Sequence, residues 1–272
     1  MTNIIDPVKQ PIFEFSGNFD GQGYAIDLAI HTDSFYIPDM YIYPYNSPYA
    51  TVYIPLPTAL FATITNDFEI KNLITTGYIY VTNKVRTSAG GIVGIVIRKT
   101  RDKLGFYPVY HNKISNCINM TDIILPRSSP IYGGIVAEIM CWAPSTPDPD
   151  HYYNYTTIEN CLNIGTLSFY DTAIYVSFIG GIIGSDLYNY PYITLNNCVN
   201  ATSFQKTGGI VSHHPAESCI GGIVGGSHHS GGAHFYSPNE TNTTNCINLG
   251  VIPPPYETGF DLAHPIVGNI KE

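Results

Sequence analysis

Two short motifs alternate along this chain of 272 residues, and their alternation restricts the fold more than any other feature. The first motif is Asn-Cys-x-Asn, with a small residue four positions after the cysteine and an apolar residue six positions after it. Its five copies, of which the first is degenerate, begin at Asn72, Asn116, Asn160, Asn197 and Asn245. The second motif is Gly-Gly-Ile followed by Val or Ile, and its copies begin at Gly90, Gly133, Gly180 and Gly221, with an extra copy at Gly208.

Each motif is a short apolar run bounded by glycine, asparagine or threonine, which is typical of β-strands. The copies of the first motif are spaced by 44, 44, 37 and 48 residues, and the intervals show no helical periodicity. A single unit of this size cannot bury both of its faces, so it must stack on its neighbours. The sequence therefore predicts an all-β fold, a parallel β-helix (solenoid) of about five or six coils with long Tyr/Pro-rich loop insertions.

Stacked coils place equivalent residues about 4.8 Å apart, so repeated side chains form columns. We expect the asparagines to form amide ladders. We expect the cysteines to form an interior column of small hydrophobic side chains, comprising Cys117, Cys161, Cys198 and Cys246. Leu73 takes this place in the first copy, and the chain has no Cys-x-x-Cys pair, which disfavours zinc. The Gly-Gly pairs indicate corners that need either positive φ or close backbone packing.

The segment FSGNFDGQGYAI, residues 15–26, resembles the opening segment of GLUG-type repeat proteins, and the two later motifs resemble the repeats of the same group. The resemblance covers roughly residues 13–270 and implies a right-handed parallel β-helix. Such repeats occur in bacterial surface proteins and adhesins, in protist proteins, and in proteins of large DNA viruses of amoebae. None of the motif residues is a known catalytic group in that family, so the resemblance implies no site residues.

Composition excludes several classes of function. The net charge is −9 with 12 basic residues, which excludes binding of nucleic acid by bulk charge. The 22 tyrosines and 12 phenylalanines exclude a disordered tail protein. No apolar run reaches about 18 residues, so we expect no direct membrane insertion. No signal peptide is visible, and the sequence predicts a location in a virion or an intracellular assembly.

We interpret residues 1–272 as one solenoid domain. Residues 1–68 are an opening segment with a Tyr/Pro-rich cap, residues 69–252 hold the repeats, and residues 253–272 form a C-terminal cap. A cap covers the open end of a solenoid, and exposed tyrosines also suit protein interfaces. The predicted interaction residues of this cap are Tyr36, Tyr41, Tyr43, Tyr45 and Tyr49.

Five of the nine histidines fall within 22 residues: His213, His214, His228, His229 and His234. Imidazoles on adjacent loops can bind zinc, but these lie in Gly/Ser-rich sequence without a known ligand spacing. They are candidates for a metal site, while the sequence predicts no metal and no cofactor. Glycoside hydrolysis needs paired carboxylates, and the acidic residues here do not recur in a column. We therefore predict no catalytic residues.

These observations predict a non-enzymatic structural or interaction protein that is built into a large assembly. The resemblance points to a minor capsid or virion-associated protein of a large DNA virus, and the expected partners are other structural proteins. Two alternatives stay open at this point: a cell-surface adhesin or ligand-binding module, and a carbohydrate-active β-helix enzyme.

Overall fold

The chain folds into a β-solenoid, as seen in a computed structural model of the protein. The structure describes residues 6–32, 56–82, 87–97, 109–125, 130–140, 154–169, 178–187, 192–206, 219–228, 241–252 and 262–264. All pairings between its strands are parallel, and each strand pairs with its equivalent one coil away. This confirms the predicted all-β, parallel β-helix fold. The right-handed sense implied by the resemblance stays a prediction.

The described residues hold twenty-five strands in six coils, and three of these strands belong to the sixth coil. The first coil holds β1 (Phe15–Asp20), β2 (Ala25–His31), β3 (Leu56–Thr58) and the first part of β4 (Phe61–Lys71). The second holds the rest of β4, β5 (Ile74–Tyr80), β6 (Thr87–Gly90) and β7 (Val93–Ile97). The third holds β8 (Tyr110–Ser115), β9 (Ile118–Asn119), β10 (Asp122–Leu125), β11 (Pro130–Gly133) and β12 (Val136–Met140).

The later coils repeat the same order of short strands. The fourth holds β13 (Asn154–Glu159), β14 (Leu162–Asn163), β15 (Leu167–Phe169), β16 (Phe178–Gly180) and β17 (Ile183–Leu187). The fifth holds β18 (Tyr192–Asn196), β19 (Val199–Asn200), β20 (Phe204–Lys206), β21 (Cys219–Gly221) and β22 (Val224–His228). The sixth holds β23 (Thr241–Thr244), β24 (Ile247–Asn248) and β25 (Leu262–His264).

Three sheets form the walls of the solenoid. Sheet I has the order β22-β17-β12-β7-β4-β8-β13-β18-β23, with β1 also paired to β4. Sheet II has the order β20-β15-β10-β5-β9-β14-β19-β24, with β2 also paired to β5. Sheet III has the order β25-β21-β16-β11-β6-β3. The first motif forms the corner between sheets I and II, and the Gly-Gly motif forms the corner between sheets III and I.

The corner between sheets I and II requires left-handed backbone at its first residue. The asparagines of the first motif have φ of 52° to 53° at Asn72, Asn116, Asn160, Asn197 and Asn245. Asparagine is among the few residues that adopt this conformation readily, which explains its recurrence. In the first coil this turn is longer, because four residues separate Asp20 from Ala25 where two separate Lys71 from Ile74. The residues with positive φ there are Gln22, at 53°, and Gly23, at 78°.

The Gly-Gly corner is explained by close packing, the second of the two predicted reasons. Within the described residues, the glycines with positive φ are Gly17, Gly23 and Gly77, and none belongs to this motif. A Cβ on Gly90 would lie 1.9 Å from the carbonyl oxygen of Val93, so the turn leaves no room for a side chain. A Cβ on Gly91 would lie 2.1 Å from Cγ of Asn119. The second glycine thus makes room for an asparagine of the first motif.

The core lies inside the solenoid and consists mainly of isoleucine, valine, leucine and phenylalanine. Residues before β1 cover the edge of the first coil that faces away from the second coil. Val8 pairs with Leu28 on the side of β2 that faces away from β5. Ile12 pairs with Phe61 on the side of β4 that faces away from β7. This edge is therefore protected from pairing with another chain.

Candidate interaction surface

The two variable positions of the sequence Asn-Cys-x-Asn-x lie on the outer face of sheet II. Cys117 and Asn119 are completely buried, whereas Ile118 is half-buried and Met120 is exposed. This follows from the alternation of side chains along a strand. Parallel pairing stacks these outer residues into two columns. The columns are Ile74, Ile118, Leu162, Val199 and Ile247, and Met120, Ile164, Ala201 and Leu249.

We call these nine residues the apolar strip. Several of its members are largely exposed, with accessible fractions of 45% for Met120, 52% for Ile247 and 69% for Leu249. Measured between backbone positions, the strip is about 20 Å long along the solenoid axis and about 7 Å wide. With the side chains included, its surface area is on the order of 300 Å². The largest apolar patch on a typical monomer covers about 300–600 Å² and is often functional, so the strip is a candidate interaction site.

The outer face of sheet I has a different character. Lys113 forms an ion pair of 2.7 Å with Glu159 across β8 and β13, and the hydrogen bond that its ammonium group donates to this carboxylate raises the pKa of Lys113. The rings of His111 and Tyr155 stack on each other with centroids 5.1 Å apart. We call the outer side of β8, β13 and β18 the polar face. The difference between the polar face and the apolar strip shows that outward-facing positions of this solenoid are not apolar in general.

An outer amide ladder borders the apolar strip at the corner between sheets I and II. The amide nitrogen of each asparagine donates to the amide oxygen of the asparagine one coil earlier, at 3.1 to 3.3 Å. Its members are Asn72, Asn116, Asn160, Asn197 and Asn245. The ladder ends where Asn72 donates to the carboxylate of Asp20, at 3.0 Å. This confirms the expected ladder and fixes the register of the strip.

An inner ladder lies directly beneath the strip and runs in the opposite direction. Asn119 donates to Asn163, Asn163 to Asn200, and Asn200 to Asn248, at 2.7, 3.0 and 2.8 Å. In the second coil Thr75 takes the place of asparagine, and its hydroxyl donates to Oδ1 of Asn119 at 3.0 Å. These amides are buried apart from the last, so each one depends on its neighbours for hydrogen bonds.

The cysteines form the predicted interior column. Cys117, Cys161 and Cys198 are at most 1% exposed, Cys246 is half-buried in the last coil, and all four are free thiols. The thiol of Cys161 donates to the carbonyl oxygen of Glu159 at 3.3 Å. Its contacts with the thiols of Cys117 and Cys198, together with burial, raise its pKa well above the ordinary value. The column therefore behaves as apolar filling beside the inner ladder.

The structure does not test the interaction and metal-site residues that the sequence indicates, so they stay predictions. Tyr36, Tyr41, Tyr43, Tyr45 and Tyr49 lie outside the described residues. The same holds for four histidines of the cluster: His213, His214, His229 and His234. His228 is the last residue of β22, and its side chain is not described. Within the described ranges, no three His, Cys, Asp or Glu side chains are placed to hold a metal ion.

Sequence reasoning missed the apolar strip, although the signal was present. The position after the cysteine is Ile118, Leu162, Val199 and Ile247 in the four full copies, and Leu73 is followed by Ile74 in the degenerate one. An outward position that is apolar in every copy predicts a stripe on the surface of a solenoid.

Comparison of the chain with models of protein families, with curated proteins and with solved structures found no match. The solenoid fold therefore rests on the strand pairings and the repeats. In the part of the chain that the structure describes, no helix has the length and hydrophobicity needed to span a membrane.

Proposed function

We propose that this chain is a non-enzymatic structural protein that packs through its apolar strip against another protein of a large assembly. The observation that carries the proposal is the alignment of nine small or apolar side chains in two straight columns on one face. Both columns lie on a parallel sheet whose coils are held together by two amide ladders. A rigid surface of this kind loses little conformational entropy when it binds a partner.

Charge favours a different protein over a second copy as the partner. Residues 128–272 hold two basic and eleven acidic side chains and thus carry the whole net charge of −9. This part of the chain supplies six members of the strip: Leu162, Ile164, Val199, Ala201, Ile247 and Leu249. Two copies would each bring a net charge of −9 to the contact, and like net charges repel each other. A neutral or basic partner avoids this repulsion.

The kind of assembly follows from the resemblance of the motifs to GLUG-type repeats. That resemblance supports a minor component of a virus particle, and we propose a virion or an intracellular assembly as the location. The low share of charged residues, 12%, is consistent with a protein that has much of its surface covered.

The first test is gradient sedimentation of native source material, followed by mass spectrometry of the fractions for this chain. We expect the chain to travel with a particle of megadalton size and to stay with it in about 0.5 M salt, because apolar contacts are not weakened by ionic screening. Recovery of the chain only in the light fractions would refute the assembly.

Hydroxyl-radical footprinting then locates the contact. The particle is compared with the purified recombinant chain, and oxidation of Met120, Ile164 and Leu249 is measured by peptide mapping. We expect at least a fivefold loss of oxidation at these residues in the particle. His111 and Tyr155 on the polar face serve as internal controls that keep their reactivity. Equal oxidation of the strip in both samples would show that another surface makes the contact.

A further inference from the structure

An open groove of about 480 Å³ lies at the corner of the first three coils. Its lining includes Asp20, Gln22, Asn72, Ile74, Asn116 and Ile118. The groove exists because the turn of the first coil is two residues longer than the turn above it. Its volume lies within the range of sites that bind small ligands or single side chains.

Asp20 is the one charged side chain among the residues that line this groove. Its Oδ1 accepts hydrogen bonds from Nδ2 of Asn72 at 3.0 Å and from the backbone N–H of Gln22 at 2.9 Å. These bonds hold the pKa of Asp20 below the ordinary value of 3.8, so the carboxylate is ionised at neutral pH. Lys71 lies beside Asp20 in the neighbouring strand, and its ammonium group pairs with Glu69 at 3.4 Å. The local charge at the groove is therefore negative.

The apolar wall of the groove is continuous with the apolar strip. Ile74 and Ile118 line the groove and also begin the first column of the strip. A side chain that fills the groove must therefore combine an apolar stem with a cationic end. Lysine and arginine have this form, because their methylene groups pack on apolar surface while the charged head reaches a carboxylate.

We propose that the groove receives a lysine or arginine side chain of the protein that covers the apolar strip. This inference rests on the proposed function and adds the chemistry of the partner: an apolar ridge that ends in a basic residue. The pairing fits the acidic balance of the chain, which favours a neutral or basic partner. It also fixes the orientation of that partner, because the groove lies at one end of the strip.

The test uses the isolated full chain and small probes, so it does not depend on the assembly. The ¹⁵N-labelled chain is titrated with acetyl-Ile-Arg-amide and with the neutral acetyl-Ile-Gln-amide, and the side-chain amide signals of Gln22, Asn72 and Asn116 are followed by NMR. We expect the arginine peptide to shift these signals and to bind about two- to fivefold more tightly than the glutamine peptide, as an exposed ion pair allows.

Two variants separate the charge of Asp20 from its structural role. Asp20→Asn keeps an oxygen that can accept the bonds from Asn72 and Gln22, and we expect it to weaken binding of the arginine peptide to the level of the glutamine peptide. Asp122→Asn is the matched control. Like Asp20, Asp122 is exposed and accepts two hydrogen bonds through Oδ1, here both from Thr166, but it lies on sheet II and outside the groove. We expect this control to stay within about twofold of the unchanged chain.

Three outcomes would overturn the inference. One is equal binding of the two peptides, and another is no shift at about 200 mM peptide, a concentration that would occupy more than half of the sites even at a Kd of about 100 mM. The third is a shift of the same signals by cellotetraose but not by the arginine peptide, which would assign the groove to carbohydrate. If any of these occurs while footprinting still protects the strip, the basic side chain is refuted and the assembly stands.

Discussion

Asn163 is the residue whose replacement tests the physical account of this fold most directly. It lies at the centre of the inner ladder and is completely buried. Its Oδ1 accepts from Asn119 at 2.7 Å, and its Nδ2 donates to Asn200 at 3.0 Å and to the carbonyl oxygen of Gly181 at 2.7 Å. Its Nδ2 also contacts the hydroxyl groups of Tyr132, at 3.5 Å, and of Thr202, and the variant Asn163→Ala loses all of these contacts.

The cost can be worked out from the partners that remain. Oδ1 of Asn200 still accepts from the backbone N–H of Thr202, so it keeps a bond. The amide of Asn119 and the carbonyl of Gly181 lose the bonds that Asn163 makes to them. A buried polar group without a partner costs about 1–3 kcal/mol, so two such groups cost about 2–6 kcal/mol. For a chain of this length that corresponds to roughly 5–20 °C in melting temperature.

Asn160 of the outer ladder provides the matched control. It makes the same kind of amide bonds, to Asn116 at 3.2 Å and from Asn197 at 3.1 Å, but it is exposed. Water replaces these bonds in Asn160→Ala, and the remaining cost is that of placing alanine at a φ of 53°, about 1 kcal/mol. Asn160→Gly removes that cost as well, so we expect it to be nearly neutral.

Urea unfolding followed by circular dichroism measures all of these variants. If Asn163→Ala does not fold, Asn163→Thr takes its place, because Thr75 already occupies the same column and donates from its hydroxyl. We expect the threonine variant to lose less stability than the alanine variant. The reasoning is refuted if Asn163→Ala costs no more than Asn160→Ala, because burial would then not decide the value of an amide ladder.

Two further predictions follow from the packing of the corners and of the thiols. Gly91→Ala should destabilise the fold by about 1–3 kcal/mol, because its Cβ would lie 2.1 Å from Cγ of Asn119. In a double-mutant cycle with Asn119→Ala, measured by urea unfolding, the two losses should be less than additive by at least about 1 kcal/mol, and strict additivity would contradict the contact. Iodoacetamide should label Cys246 in the folded chain well before it labels Cys161, since Cys246 is half-buried and Cys161 is 1% exposed. Equal labelling rates of Cys246 and Cys161 in peptide mapping would contradict this prediction, because they would show that the cysteine column is open to solvent.

The sequence was sufficient for the fold because its signals come from stacking, which every coil repeats. The Asn-Cys copies are in register, the cysteines are buried, and Leu73 fills the same column in the second coil. The first coil was harder to recognise, because its turn has Gln22 in place of asparagine and two additional residues. A motif search anchored on asparagine and cysteine does not detect a turn that meets the same backbone requirement with other residues.

The sequence places the predicted interaction and metal residues, such as Tyr36, Tyr41 and the histidines, in the insertions, because loops are the usual carriers of function. The structure instead presents an apolar surface on the regular part, at positions such as Ile164 and Leu249. Which face an outward residue joins depends on the register between coils, and register becomes certain only when the strand pairings are known.

The variable spacing of the repeat has a consequence for this surface. The interval between successive asparagines falls to 37 residues between Asn160 and Asn197 and rises to 48 between Asn197 and Asn245. Nevertheless the amide bonds across these two steps measure 3.1 and 3.2 Å. The difference in length is therefore accommodated elsewhere in each coil, away from the corner that borders the strip. A partner on the strip meets an even spacing of about 4.8 Å per coil, whatever the length of the insertions. Changes in an insertion should thus leave binding at the strip unaltered, whereas a shift in register at one corner should disrupt it.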